Sequence, residues 1–246
     1  MKKRRTGYRR SSQLTQKKPR GWIWRIASIS IALILLYQVW LFAHICWWIK
    51  FDPSSSAFME TRLAIMQDQN PDAELRHKWV PYSKISNHLK RALVASEDAR
   101  FVDHEGFDWA GIQKAYEKNL KKGKIVAGGS TISQQLAKNL FLSTKRTPWR
   151  KLEEAVITVM LETVMDKQRI FEIYLNIIEW GDGVFGAEAA SRHYYRISAA
   201  QLSPYQAAKL AAMVPNPRYY EKHREARGLE QKTNIVLSRM REAEIP

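Results

Sequence analysis

Three short stretches of this 246-residue chain hold residue types that could do chemistry together. The first runs Glu97-Asp98-Ala99-Arg100-Phe101-Val102-Asp103-His104-Glu105-Gly106-Phe107-Asp108. The second is Gly128-Gly129-Ser130-Thr131-Ile132-Ser133-Gln134-Gln135-Leu136-Ala137-Lys138-Asn139, and the third Arg150-Lys151-Leu152-Glu153-Glu154. Two carboxylates, Glu97 and Glu154, thus flank a glycine-rich turn and an amide-rich helix start. That arrangement suits displacement at a sugar carbon with an anionic leaving group. A general base at Glu97 needs a position fixed by its helix and a pKa lifted by burial. Glu154 follows Arg150 by four residues and Lys151 by three, so both cations reach it and keep it charged. The free N–H groups of the helix start favour an anion, and Ser130 and Thr131 add hydroxyls. Gln134, Gln135 and Lys138 read as one polar face. Arg146, Arg150 and Lys151 make a cationic cluster. Each piece alone has a plainer reading: a solvated Glu beside Arg100, an ordinary cap, a helix ion-pair network. His104 reads as structural, and with Asp108 it orients the loop.

The elements that must position these groups are helices. Ile85, Leu89, Ala92, Leu93 and Ser96 form one face leading into Glu97. Asp108 caps a helix to Leu120 that Gly123 stops. Ser130 or Thr131 caps the next, to about Leu140, after a mobile Gly123–Gly129 stretch. Thr147-Pro148 starts another through Met160, a capping hydroxyl with proline at the first helical position. Further helices cover Ile170–Asn176, Leu202–Met213 and Leu229–Met240. No strand period or internal repeat is visible, so the class is mainly α.

The formal net charge of +16 is unevenly spread. Ten Lys/Arg and no acid fall in residues 1–25, and the other thirty basic residues face all twenty-four acids. A tail, not the body, carries the basic extreme. Residues 1–21 have no apolar period and are expected to be disordered. A basic tail could bind nucleic acid, but the apolar run behind it sets that role aside. Ile26–Ile49 contains no Asp, Glu, Lys or Arg. As a helix it is about 36 Å long, enough for a hydrocarbon core of about 30 Å. Trp22 and Trp24 mark one end and Trp47 and Trp48 the other, an interfacial aromatic belt. With no small-residue cleavage site after it, the run reads as an uncleaved signal anchor. The basic flank then stays cytoplasmic and the remainder lies outside the inner membrane, in the periplasm. Cys46 is the single cysteine, so no internal disulfide and no cysteine metal site is available. The expected division is a basic tail over 1–25, a span over 26–49, a linker over 50–77 marked by Pro53-Ser54-Ser55-Ser56 and Pro71, and a catalytic domain over 78–246. Trp109, Ile112, Tyr116 and Leu120 form an apolar stripe ringed by lysines. It reads either as a membrane-interface face or as a core face.

The ordered motifs resemble the peptidoglycan glycosyltransferase family, the lysozyme-like domain shared by class A penicillin-binding proteins and the monofunctional biosynthetic transglycosylases. The likeness covers about residues 78–220. Glu97, Asp98, Phe101, His104, Gly106 and Asp108 match the first motif. Gly128, Ser130, Thr131, Gln134, Gln135, Lys138 and Asn139 match the second. Arg150, Lys151 and Glu154 match the third, and Lys167, Ile170, Glu172, Tyr174, Leu175 and Asn176 the fourth. The resemblance implies a lysozyme-like, mainly α domain behind one N-terminal membrane helix. It implies that Glu97 is the general base, that Glu154, Lys138 and Arg146 hold a diphosphate with Arg150 beside them, and that Ser130 and Gln135 bind the donor. Asp98, His104, Asn139, Lys151 and Asn176 are motif support. The implied substrates are lipid II and a growing glycan strand at the membrane, with cell-wall synthesis or division proteins as further candidate partners. No cofactor is required, although the diphosphate leaves a place for a divalent cation, Mg or Mn. No Ser-x-x-Lys occurs, which fits a form without a transpeptidase. Two departures stand out: Arg196 where the family often has Gly, and Gln206 where it often has Glu. Two rival readings are a lytic, lysozyme-like murein-cleaving enzyme and a non-enzymatic membrane-tethered scaffold.

Overall fold

The computed structural model describes residues 20–124, 128–142 and 147–246. The basic tail before residue 20, positions 125–127 of the glycine-rich stretch and Arg146 lie outside the described residues. Contacts divide the chain into two units, 1–41 and 42–246.

Helix α1 (Arg20–Trp47) contains one segment, Trp22–Trp47, long and apolar enough to cross a membrane, with mean hydropathy 2.1. From Ile26 on, its side chains are mostly apolar on every side, which suits a solvent without water.

The larger unit is mainly α. Among the described residues its helices are α2 (Ala57–Gln67), α3 (Asn87–Glu97), α4 (Trp109–Lys122), α5 (Ile132–Phe141), α6 (Pro148–Val164), α7 (Lys167–Ile177), α8 (Ala187–Tyr195), α9 (Pro204–Met213), α10 (Pro217–Lys222) and α11 (Arg227–Arg239). One packed group is α3, α9 and α11; another is α5, α6 and α7, with α2 against α5. Leu89, Leu93, Leu136, Phe171 and Tyr174 are fully buried between them. Phe101 joins this core at 5.4 Å from the Phe171 ring.

The stretch expected to be a linker folds otherwise. Ser56 accepts from the Met59 N–H at 3.3 Å and so starts α2. Phe58, Met59, Leu63 and Met66 recur at helical spacing on that helix, and Arg62 pairs with Asp182. Strand β1 (Arg76–His77) follows and pairs in parallel with β3 (Val184–Phe185), which pairs antiparallel with β2 (Glu179–Gly181). Strands this short leave no period of two to read. Helices α8 and α10, and the first turn of α7, also went beyond the expected elements.

The two family departures have local explanations. Arg196 caps α8 at φ +59°, the one non-glycine residue in the left-handed region among the described residues. Glycine reaches that conformation without steric cost. Gln206 closes a capping box with Ser203: its Oε1 accepts from the Ser203 N–H at 2.9 Å, a bond that Glu would make equally.

Candidate active site

Glu97 is the last residue of α3. The chain turns sharply after it, with Asp98 at φ −161° and ψ 75°. The carboxylate is thereby held at a helix end, where it lines a small hollow. It is only partly exposed. Ser96 Oγ donates to Oε1 at 3.2 Å and Gln135 Nε2 to Oε2 at 2.9 Å. Tyr174 OH donates in turn to Gln135 Oε1 at 3.1 Å, which fixes the amide. Burial pushes the Glu97 carboxyl above its ordinary range. The bonds from Gln135 and Ser96, and the charges of Lys138 and Lys232, oppose that without cancelling it. Tyr174, fully buried beside Glu97 and Asp98, is held neutral well above its usual range. Arg100, the expected neighbour in the plainer reading, faces Asp103 and Asp108 instead.

The loop after Glu97 is a brace. Asp98 accepts from His104 Nε2 at 3.0 Å and from the Ile132 N–H at 3.0 Å, so one carboxylate ties the loop to the first turn of α5. Thr131, not Ser130, is the cap. It forms a full capping box with Gln134 and donates its hydroxyl to the Gly106 carbonyl at 2.7 Å. Gly106 sits at φ +85°, and a Cβ there would fall 2.7 Å from Thr158 Cγ2, so only glycine fits. Gln134 therefore turns back to its own cap, and the expected shared face of Gln134, Gln135 and Lys138 reduces to Gln135 and Lys138. A hollow of about 110 Å³ opens beside Glu97, lined by Asp98, Asp108, Gly129, Ser130 and Thr131.

A larger cleft of about 340 Å³ lies past Gln135, walled by Lys138, Asn139, Arg150, Glu179 and Arg218. Glu154 is buried, bound by Arg150 Nη1 at 3.2 Å and by Lys151 Nζ. Lys151 Nζ also donates to Ser130 Oγ at 3.3 Å, which links the cationic cluster to the glycine-rich turn. Lys138 feels desolvation first, which lowers its pKa. Glu154 and Glu97 then raise it, and Arg150 and Lys151 lower it. One ammonium thus stands within the field of both carboxylates. The structure brings Glu97, Ser130, Gln135, Lys138, Asn139, Arg150, Lys151 and Glu154 into one region. Arg146 lies outside the described residues.

Other motif positions serve the frame. Asn176 is fully buried: it donates to the Val80 and Glu172 carbonyls at 3.0 and 2.9 Å and accepts from the Val80 N–H at 3.0 Å. Lys167 pairs with Glu162 at 2.8 Å and lies over the Phe101 ring. Asp98 and His104 brace the loop. Sequence reasoning missed Glu179, Arg218 and Phe58 as cleft residues, since each comes from a distant element with no motif around it. Burial pushes the Glu179 carboxyl up, while Arg218 at 3.6 Å opposes this.

A family model described as Transglycosylase matches residues 64–241. The chain belongs to the transglycosylase family. A protein of Methylobacillus flagellatus named biosynthetic peptidoglycan transglycosylase is 70% identical over 91% of this chain and 97% of its own length. Proteins of the same name from Chromobacterium violaceum and Laribacter hongkongensis are 68% and 67% identical. They cover 91% and 92% of this chain and 98% and 99% of their own lengths. The chain is an enzyme of peptidoglycan biosynthesis, a transglycosylase and hence a glycosyltransferase, and the transglycosylase domain is the one found in it.

Proposed function

We propose that this transglycosylase polymerises lipid II into β-1,4-linked glycan strands, with Glu97 as general base and release of undecaprenyl diphosphate. The observation that carries the reading is the pairing of environments at Lys138. A desolvated carboxylate with a raised pKa lies on one side and a carboxylate neutralised by two cations on the other. Two titratable groups with separated environments suit base and charge-stabiliser roles.

The 4-hydroxyl of an incoming lipid II sugar is placed against Glu97. Its proton passes to the carboxylate as the oxygen attacks the anomeric carbon of the growing strand. The bond from that carbon to the diphosphate oxygen breaks, and the electron pair leaves with the diphosphate. Attack from the side opposite the leaving group turns the α-linkage into β. Lys138, Arg150 and Lys151 meet the charge that develops on the diphosphate, and Glu154 holds the last two in place. Ser130 and Gln135 orient the donor. A divalent ion, Mg or Mn, would help neutralise the leaving diphosphate if one binds there.

A lipid-linked substrate requires the domain to sit on the bilayer. Two features support that placement besides α1. No residue of α4 is buried and Trp109 is 72% exposed, which favours the interfacial reading of the stripe, although Ile112 is half-buried against Gly129. On α6, Trp149 is 79% exposed, and Leu152, Val156 and Val159 continue an open apolar face at helical spacing. We assign the N-terminus to the cytoplasm and the catalytic domain to the periplasm.

The test is incubation of the purified full chain with lipid II and separation of the products by size. Polymer from the parent protein, and none from a folded Glu97→Gln variant, supports the reading. Equal polymer from both removes Glu97 from the role of base.

A further inference from the structure

A second groove of about 360 Å³ lies between α3, α4, α9 and α11. That volume falls within the roughly 300–1,000 Å³ usual for small-ligand sites. Lys118, Lys232 and Arg239 line it, each from an exposed position. Among the described residues no carboxylate lies within ion-pair distance of any of the three; Lys232 stands over the Tyr220 ring, at 5.2 Å. Lys232 lies in the field of Glu97, while Lys118 and Arg239 have no carboxylate at ion-pair range among the described residues, and an anion in the groove would meet their charge. The floor is of the opposite character, with Ala212, Pro215 and Val236 offering small apolar surface.

The groove touches the reaction centre. Ser96 is one of its walls, and the Ser96 hydroxyl donates to Glu97 Oε1. The cationic cleft reaches the other oxygen, Oε2, through Gln135, and Pro215 lines both spaces. A molecule whose hydroxyl is placed at Glu97 therefore has two ways to extend. The cleft, with Lys138 and Arg150, suits the leaving diphosphate. The groove is left for a side arm of the attacking substrate.

We propose that this groove binds a short carboxylate-bearing peptide with small apolar side chains, the stem peptide attached to the sugar of the acceptor lipid II. The inference rests on the proposed lipid II polymerase activity. Alanine-type side chains fit the apolar floor, and the peptide carboxylates answer Lys118, Lys232 and Arg239. A bare phosphate would meet the cations but leave the floor uncovered.

The test uses the full chain in detergent with two substrates: lipid II carrying its whole stem peptide, and the same lipid-linked disaccharide with the peptide removed. The parent protein should show a KM about tenfold lower for the peptide-bearing substrate, a difference of about 1.4 kcal/mol. Lys118→Gln with Arg239→Gln should raise that KM to the peptide-free value. The peptide-free KM and both kcat values should stay within about twofold of the parent, well below that tenfold effect. Lys118→Arg with Arg239→Lys should retain the preference. Equal KM values for the two substrates in the parent protein would overturn the inference while leaving the polymerase activity standing. So would a double variant that weakens both substrates alike. A parent protein that polymerises neither substrate overturns the proposed activity itself, and this inference with it.

Discussion

Glu97 is one carboxylate with two measurable consequences. Its removal as Glu97→Gln should lower turnover by about 10²–10⁴, the usual worth of a general base. Because burial raises its pKa, turnover should climb with pH through a value above the ordinary glutamate range of about 4.3. Lys232→Gln removes one opposing charge, so the same limb should move to higher pH in an initial-rate profile; a limb that stays in place would separate Lys232 from the base. The stability consequence has the opposite sense. A carboxyl whose folded pKa is raised stabilises the fold below its unfolded pKa and loses that contribution as pH rises through the folded value. Glu97→Gln should therefore gain more in melting temperature near pH 8 than near pH 4, read by thermal unfolding in the two buffers. Arg196 gives a simpler case. A non-glycine residue in the left-handed region costs roughly 1–2 kcal/mol, and glycine gives back part of that through chain entropy. Arg196→Gly should stabilise by up to about 1 kcal/mol, measured by denaturant midpoint.

At the scale of elements, α5 and α7 hold the site through bonds that cross long stretches of chain. Asn176 on α7 satisfies both the N–H and the carbonyl of Val80, ninety-six positions earlier. Asn176→Ala would leave both groups without this partner in a half-buried place, at up to about 1–3 kcal/mol each. The expected result is a cooperative loss of several degrees in melting temperature with the catalytic groups untouched; an unchanged melt would mean that water replaces the amide. Helices α4 and α6 make a different prediction. Their apolar faces are open, so Trp109→Ser with Tyr116→Ser should create no cavity and leave the melt unchanged. The same faces should enter lipid. With Cys46→Ser, a Tyr116→Cys variant carrying an environment-sensitive dye should show apolar-type emission in proteoliposomes. Water-like emission there would exclude α4 from the membrane interface.

For the whole molecule, the orientation of α1 decides whether the active site meets its substrate. Ten basic residues precede the span, and only Lys50 follows it closely. The positive-inside bias then places the N-terminus in the cytoplasm. A periplasm-dependent reporter fused after Pro246 should be active, and a cytoplasm-dependent one silent. The reverse pattern would remove the catalytic unit from the side where glycan strands grow.

The sequence by itself carried what is local or periodic. The apolar run of α1, the caps at Asp108, at Ser130 or Thr131, and at Thr147, and the helical periods around Glu97 and Lys138 all lie within a few turns of chain, where spacing alone decides which side chains meet. The motifs likewise marked Glu97, Gln135, Lys138, Arg150, Lys151 and Glu154 before their geometry was known. Tertiary structure decided the rest. It turned Gln134 away from the cleft into its own cap, and it spent Asn176, Lys167, His104 and Asp98 on the frame. It brought Phe58, Glu179 and Arg218 to the cleft from three distant elements, and it converted an expected linker into α2 and β1. It also left the α4 stripe facing outward. The physical reason is common to these cases. A side chain's partner across ninety residues, and the desolvation that lifts Glu97, depend on which surfaces pack together. No local pattern of residue types encodes that packing.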